Sequence, residues 1–342
     1  MRVLLTGSSG WLGRHLAPML RAAGHEVAGL DVALGEGTTI VGSVADRATV
    51  DRAVDGAKAV IHAAALHKPD IARYDRQAFV DVNVTGTLNL LEAAVARGCS
   101  RFVFTSTTSL MISEAMRGAE GGPAAWIDEG FGPLAPRNVY GATKLAAEQL
   151  CRLIHREHGL PVLILRTGRF FPEEDDTHRA LTGENMKANE LLHRRLAPED
   201  AAAAHLAALE RAPALGCETF IISAPTPFKP DEADELGRDA PAVICRRYPD
   251  AAALYARAGW RLPARIDRVC DAGRAQRLLG WRAQVDFAAL LAAMRLGEPP
   301  PLAHDAAYLS PKERMQPLPD GRAVADGARS GAAGSGHHAD HG

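Results

Sequence analysis

Tyr140 and Lys144 stand four residues apart in Tyr140-Gly141-Ala142-Thr143-Lys144, a spacing that stacks two side chains on one face of a helix. An ammonium beside a phenol favours the phenolate and draws its pKa down from about 10 toward working pH. The pair therefore reads as a proton-transfer device. The tyrosine exchanges a proton with a substrate hydroxyl while hydride moves to or from a nicotinamide, and Lys144 bonds the nicotinamide ribose. Alone the spacing is weak, since any helix surface carries it by chance. Upstream, Phe102-Val103-Phe104-Thr105-Ser106-Thr107-Thr108-Ser109 ends an apolar run in five hydroxyls, at the strand edge where open α/β sheets hold their ligands. A hydroxyl there orients the substrate oxygen and shares the proton; local turn bonding accounts for some of the five.

Near the N-terminus, Thr6-Gly7-Ser8-Ser9-Gly10-Trp11-Leu12-Gly13 sits between an apolar run and a helix-like stretch. This is a G-x-x-G-x-x-G variant of the dinucleotide fingerprint. One glycine makes the tight turn, one lets backbone approach a pyrophosphate, and one permits close helix–strand packing. Amides at the helix start then face the phosphates, assisted by the helix dipole. Gly7, Ser9, Gly10, Trp11, Leu12 and Gly13 are the candidate phosphate cradle. A glycine-rich turn without a ligand competes with this reading, but Asp31 closes the next strand 18 residues after Gly13, near the spacing of a ribose-binding carboxylate. A carboxylate there accepts both ribose hydroxyls and repels a 2′-phosphate, which favours NAD over NADP; a plain turn residue is the alternative.

These groups need a frame that brings them together. Residues 3–5, 25–30, 59–64, 102–104 and 162–165 read as strands, with 219–222 as a later one; residues 12–23 and the series Val84, Leu88, Leu91 and Val95 read as helices. Alternating strands and helices predict an α/β fold, a Rossmann-type doubly wound parallel sheet. Residues 1–168 form its NAD-binding domain, with 200–224 returning to it. Residues 169–199 and 225–297, the latter carrying Pro225, Pro227, Pro230, Pro241, Pro249 and Pro263, form a smaller mixed α/β C-terminal substrate region. Within it a short helix over 274–279 stops at Gly280, and 286–296 forms a last helix. Residues 298–342 lack periodicity and are expected to be a disordered tail, with His337, His338 and His341 solvated rather than metal-binding.

Of the 342 residues, 39 are Lys or Arg and 41 Asp or Glu, a net charge of −2 that supplies no dedicated nucleic-acid groove. Five scattered cysteines without a C-x-x-C pair fit reduced thiols better than disulfides or a zinc site. No uncharged apolar stretch reaches membrane-spanning length, and no signal-type leader opens the chain. A cytoplasmic protein with no membrane, nucleic-acid or metal partner is expected.

In their order, Gly7/Gly10/Gly13, the hydroxyl strand, Tyr140/Lys144 and Leu279-Gly280-Trp281 resemble the extended short-chain dehydrogenase/reductase family, of NAD-dependent epimerase/dehydratase type, over residues 1–296. His62-Ala63-Ala64-Ala65, Asn83-Val84-Thr85-Gly86-Thr87 and Asp200 before the stretch 201–209 match as well. The resemblance implies Tyr140 as acid/base, Lys144 as its pKa modulator and ribose anchor, and Thr107 as the triad hydroxyl, with Ser106 the fallback one residue away. It also implies Ala63, Ala64 and Ala65 against the cofactor, Asn83 as a structural brace, and a homodimer through the helices around 83–97 and 140–158. Departures narrow the substrate. Ser43 stands where members often carry Asp near the adenine, leaving that contact to the Val44 backbone. Thr108-Ser109 follows Thr107 where 4,6-dehydratases carry Asp-Glu, so water elimination lacks its acid and base. Arg169 stands near the place where UDP-galactose-type epimerases often carry Asn. The 32 residues between Thr107 and Tyr140, including 114–122 and Trp126, read as an enlarged loop beside the site, a candidate lid.

Arg166, Arg169, Lys187, Arg194 and Arg195 give the substrate side a basic lean suited to phosphate or carboxylate, against which stand internal pairs with Glu173, Glu174, Asp175 and Asp176. Thr107, Thr108, Arg169 and Arg194 are the candidate substrate contacts. His62 and His67 read as packing or hydrogen-bonding residues. Three activities stay open: an NAD-dependent sugar epimerase, a net dehydrogenase or reductase of a small alcohol or ketone, and a non-catalytic dinucleotide-binding regulator.

Overall fold

Val3, Leu4 and Leu5 are all fully buried, a run without polar alternation, as a strand covered on both faces requires. They are the centre of β1 (Arg2–Thr6). The computed structural model describes residues 1–114, 116, 122–170, 183–302, 310–314, 316–317 and 323–324. After β1 come α1 (Gly13–Ala22), β2 (Glu26–Asp31), β3 (Ile40–Val41), α2 (Arg47–Val54) and β4 (Ala59–His62). A long helix follows as α3 (Arg76–Val80) and α4 (Gly86–Ala96), joined through one π turn at Asp81–Thr85. Next are β5 (Arg101–Thr107), β6 (Ala125–Ile127), α5 (Val139–His158), β7 (Val162–Thr167), α6 (Gly183–Leu191), α7 (Pro198–Leu215) and β8 (Cys217–Ile222). The remainder holds α8 (Ala233–Leu236), α9 (Ala240–Arg247), α10 (Ala251–Arg257), β9 (Arg268–Cys270), α11 (Gly273–Leu279) and α12 (Phe287–Leu296).

The main sheet has seven parallel strands in the order β3-β2-β1-β4-β5-β7-β8. One apolar layer joins Leu16 and Leu20 of α1 to Ala204 and Ala208 of α7. The other joins Val50 of α2, Leu90 and Leu91 of α4 and Ala147 of α5. This is the doubly wound α/β sheet that the alternating pattern anticipates. Its order reverses between β1 and β4, and the crevice opens there, beyond the carboxyl ends of the strands.

Two strand ends differ from the sequence reading, with consequences for the site. β5 runs past its apolar core to Thr107, because Thr105, Ser106 and Thr107 pair in register with Leu165, Arg166 and Thr167 of β7. β4 stops at His62, so Ala63, Ala64 and Ala65 leave the ladder and enter the crevice wall. Strand β3 and the parallel pair β6–β9 are too short to show a period in sequence. The pair places Trp126 in a strand rather than a loop, its indole donating to Asp271 Oδ2 at 3.2 Å.

Asp200 pins the C-terminal region to α7. Asp200 accepts from the amides of Gln284 and Val285 at 2.8 and 3.0 Å, and its carbonyl accepts from the Trp281 indole at 3.0 Å. Gly280, at φ +68°, makes the turn that sends Trp281 there. Within the stretch expected to be a tail, residues 310–312 lie against the crevice, where Ser310 is buried. The acidic residues at 173–176, most of the 114–122 loop and the terminal histidines lie outside the described residues. All five cysteines are free thiols, and no described helix is long and apolar enough to cross a membrane.

Candidate active site

The crevice holds a cavity of about 580 Å³ walled by Gly7, Gly10, Trp11, Leu12, Asp31, Ser43, Val44, Ala63, Ala64 and Ala65. Gly7 sits at φ +71°, and a Cβ there would lie 2.8 Å from the Ala64 nitrogen; one on Gly13 would lie 2.3 Å from the Gly7 oxygen. Both glycines are therefore demanded by backbone packing. Gly10 differs: a Cβ there meets only the Gly7 oxygen, at 3.3 Å, and otherwise stands in the space a ligand would fill. Asp31 accepts the Ser9 amide through Oδ2 at 3.0 Å and the Ala33 amide through Oδ1 at 3.2 Å, which fixes its carboxylate at the cavity wall. Ser9 and Gly13 stand behind that wall, Ser9 holding Asp31 and Gly13 packing α1 onto the loop. Val44 lines the cavity with its carbonyl taken by the Asn89 amide at 3.1 Å. A carboxylate at one end, glycine-loop backbone in the middle and Tyr140/Lys144 at the other end are the donor and acceptor set a dinucleotide needs, so these residues fit NAD.

Tyr140 and Lys144 open into a second cavity of about 140 Å³, which shares Ala63, Ala65, His67, Thr105 and Phe170 with the first. Asn138 caps α5 by accepting from the Gly141 amide at 2.9 Å, so the tyrosine lies in the first turn. Lys144 is buried with Nζ 4.0 Å from the Phe104 ring centre. Burial draws its pKa down to about 7, against smaller opposing pulls from Cys151 and Glu148.

Alternation along β5 separates the hydroxyls. Ser106 donates to Glu148 Oε1 at 2.7 Å, and Glu148 is clasped by Arg166 at 2.9 and 2.7 Å. His205 donates Nδ1–H to the Ala201 carbonyl, so its Nε2 accepts from the Thr105 hydroxyl at 2.8 Å. Thr107 accepts the Ser109 amide at 3.1 Å and keeps its own O–H for the cavity. Thr108 also lines the cavity, donating to the Thr167 carbonyl at 3.3 Å. Arg166, part of the basic lean read from sequence, is thus a buried partner of Glu148 and faces no substrate.

The brace expected at Asn83 is visible. Its Oδ1 accepts the Leu66 amide at 2.9 Å, while Nδ2 donates to the Leu66 carbonyl at 3.0 Å and to Thr143 Oγ1 at 3.1 Å. One amide therefore ties the Ala63–Leu66 wall to the helix carrying Tyr140 and Lys144. His62 bridges Thr6 at 2.7 Å and Thr87 at 3.0 Å, with burial holding its pKa well below the usual value. His67 packs edge-on against the Tyr140 ring with centres 5.7 Å apart. His62 thus serves hydrogen bonding, and His67 packs on the tyrosine while lining both cavities.

Arg169 and Arg194 line the smaller cavity, joined by Arg137 and Arg268; its described lining residues include no carboxylate. Glu190 behind them receives Arg169 at 3.2 Å, Arg194 at 2.7 Å and Arg195 at 2.8 Å. Burial opposes its ionisation, but the three guanidiniums win and hold it below the usual carboxylate range. Lys187 and Arg195 do not reach the cavity. Sequence reading missed Arg137, Asn138, Arg268 and Cys270 on the small cavity and Asp70, Arg73, Tyr74, Ser310 and Lys312 on the large one. Of these, Asn138 alone carried a local signal, as a helix cap two residues before Tyr140.

The model of the NAD-dependent epimerase/dehydratase family matches residues 3–215. Among curated proteins, a 3-beta-hydroxysteroid dehydrogenase of Mycolicibacterium neoaurum is 30% identical over 199 residues, 55% of this chain and 52% of its own length. UDP-glucose 4-epimerase 4 of rice (Oryza sativa subsp. japonica) is 30% identical over 185 residues, 48% of each. The matched stretch thus spans about half the length of these relatives, and their named substrates differ. Among solved structures, a short-chain dehydrogenase/reductase superfamily protein from Agrobacterium tumefaciens with bound NAD superposes at TM-score 0.61 with 26% identity, covering 87% of this chain and 98% of its own. The chain belongs to the NAD-dependent epimerase/dehydratase family.

Proposed function

We propose that this chain is an oxidoreductase moving hydride between NAD and a secondary alcohol or ketone carbon of an anionic, sugar-like substrate. One observation carries the substrate class: four arginines and no described carboxylate line the cavity that Tyr140, Lys144 and Thr107 open into. Guanidiniums bind phosphate or carboxylate by paired hydrogen bonds, and these four are held at the cavity by Glu190, Glu114 and Asp267. NAD, when bound, supplies the hydride acceptor and donor. The Tyr140 phenol exchanges a proton with the substrate oxygen, Thr107 orients that oxygen, and Lys144 favours the phenolate and bonds the nicotinamide ribose. Gly7, Gly10, Trp11 and Leu12 cradle the pyrophosphate, Asp31 accepts from the adenosine ribose, and Val44 and Ala63–Ala65 enclose the rest. Arg169 and Arg194, with Arg137 and Arg268 at the wall, grip the substrate anion.

Among the three activities, epimerisation of a nucleotide sugar and net oxidation or reduction of a small alcohol or ketone use the same groups. The smaller cavity, about 140 Å³, favours a sugar-sized reacting unit. NAD(H) released by denaturing the purified protein discriminates: stoichiometric retention supports internal return of hydride, and an empty protein that binds added NAD supports net dehydrogenation. Tyr140→Phe is expected to keep NAD binding and lose turnover on sugar phosphates, uronates and nucleotide sugars. Turnover that survives the change sinks the assigned acid/base. The helices around 83–97 and 140–158 are proposed to form a homodimer, checked by light scattering after gel filtration.

A further inference from the structure

Lys312 lies nearly a hundred residues beyond the stretch that matches the family, yet its side chain is on the wall of the dinucleotide cavity. Its Nζ donates to Asp70 Oδ2 at 2.9 Å and to the Ala65 carbonyl at 3.3 Å. On the opposite rim, a Cβ built on Gly35, in the loop after Asp31, would lie 3.6 Å from Pro311 Cγ. Ser310, before Pro311, is buried and lines the same cavity. The short segment therefore crosses the mouth of the crevice, from the β2 loop on one side to the β4 loop on the other.

The place where it crosses is informative. Ala65 belongs to the wall shared by the large and small cavities, between the Asp31 and Val44 end and the Tyr140 and Lys144 end. A dinucleotide laid between those ends must put its pyrophosphate in the middle, because the pyrophosphate joins its two halves. An ammonium carries three N–H groups, and the Asp70 and Ala65 bonds occupy two. Gly7, Gly10, Trp11 and Leu12 of the glycine loop line the same cavity, with Gly7 packed against Ala64. Asp70 is itself fixed, its Oδ2 accepting the His67 amide at 2.7 Å, so the ammonium is held in place rather than free to swing into solvent.

We infer that Lys312 is a cofactor-anchoring residue: the 310–312 segment closes over bound NAD and the Lys312 ammonium, held at Asp70 and Ala65, bonds its pyrophosphate. This rests on the assignment of the crevice to NAD. Such a clasp acts chiefly on cofactor release, since the segment must lift before NAD leaves. Slow release suits chemistry in which hydride returns to the substrate it came from.

The test uses the full chain and NAD itself, with binding measured by calorimetry and release by stopped-flow fluorescence of NADH. Lys312→Met is expected to weaken NAD binding by about tenfold, the worth of one charge-assisted hydrogen bond, mostly through faster release, and to flatten the dependence of Kd on salt. Lys312→Arg keeps the charge and is expected to stay within about threefold of the wild type. Melting curves of the unliganded variants separate this from a folding defect. If Lys312→Met binds NAD as tightly as the wild type, or more tightly, the clasp is wrong while the NAD assignment stands. A wild-type protein that binds no NAD overturns the assignment and the clasp with it.

Discussion

Replacing Lys144 with methionine is expected to make the unliganded protein more stable, by an amount that depends on pH in a defined way. The lysine is buried with its charge, and burial draws its pKa from the ordinary 10.5 to about 7. In the unfolded chain the same group titrates at its ordinary value, so between those two pH values the folded state binds fewer protons than the unfolded one. Stability from this residue therefore rises with pH across that window. At about 1.4 kcal/mol per pH unit, the penalty is roughly 4–5 kcal/mol at pH 7 and below, and it fades toward zero above about pH 10.5. Methionine has similar reach and no charge, so it escapes the penalty; it forfeits the contact with Phe104 at 4.0 Å, about 1–2 kcal/mol for a desolvated cation over a ring. The stability gap between variant and wild type should be about 3 kcal/mol at pH 7 and should close or reverse by pH 10.5. Urea unfolding of both proteins without NAD, at several pH values, measures it, and other titrating groups cancel in the difference. A gap that does not change with pH would refute the buried-charge account, as would a wild type more stable than the variant at pH 7. The variant is also expected to be inactive, so one residue would trade stability for catalysis.

Asn83→Ala removes three buried hydrogen bonds between the Leu66 segment and α5 and is expected to cost about 2–4 kcal/mol in urea unfolding. Loss under 1 kcal/mol would mean the brace is not rigid. Glu148→Gln leaves the buried Arg166 without its carboxylate and is expected to cost about 3–5 kcal/mol at pH 7. Burial alone would raise the pKa of Glu148, but Arg166 holds it below the usual range. The wild type's advantage is therefore present above about pH 4.5 and lost as pH falls through the lower folded value, which paired unfolding curves at pH 7 and pH 3 check. Asp31→Asn is expected to weaken NAD binding about tenfold and to narrow the preference over NADP; calorimetry with both dinucleotides reads this, and an unchanged ratio removes Asp31 from cofactor choice.

The chemistry was legible in sequence wherever it depends on residues close together in the chain. Gly7, Gly10 and Gly13 report the backbone geometry of one turn, and Tyr140 and Lys144 share a face because a helix repeats every 3.6 residues. Asp31 follows from the length of one βαβ step. The apolar runs in β1, β4, β5 and β7 announce a parallel sheet because strands covered on both faces cannot alternate. Thr107 and Ser106 were one residue apart and chemically alike; both line the smaller cavity, and only the ladder to β7 shows that Ser106 is spent on Glu148 while Thr107 is not.

Other features had no local signature to read. Arg166 and Arg194 look alike in sequence and each pairs with a buried glutamate, yet of the two only Arg194 also lines the cavity. Burial and partner choice are properties of what packs from distant parts of the chain. Arg268 reaches the site through a three-residue strand pairing β6 with β9, and Lys312 reaches the crevice from a stretch whose composition suggested only a solvated tail. Short-range spacing therefore determined the fold class, the glycine loop and the tyrosine–lysine pair. The arginine lining of the smaller cavity, the lowered pKa of Lys144 and the placing of Lys312 at the crevice were decided by tertiary packing, because each depends on which groups meet once water has been excluded.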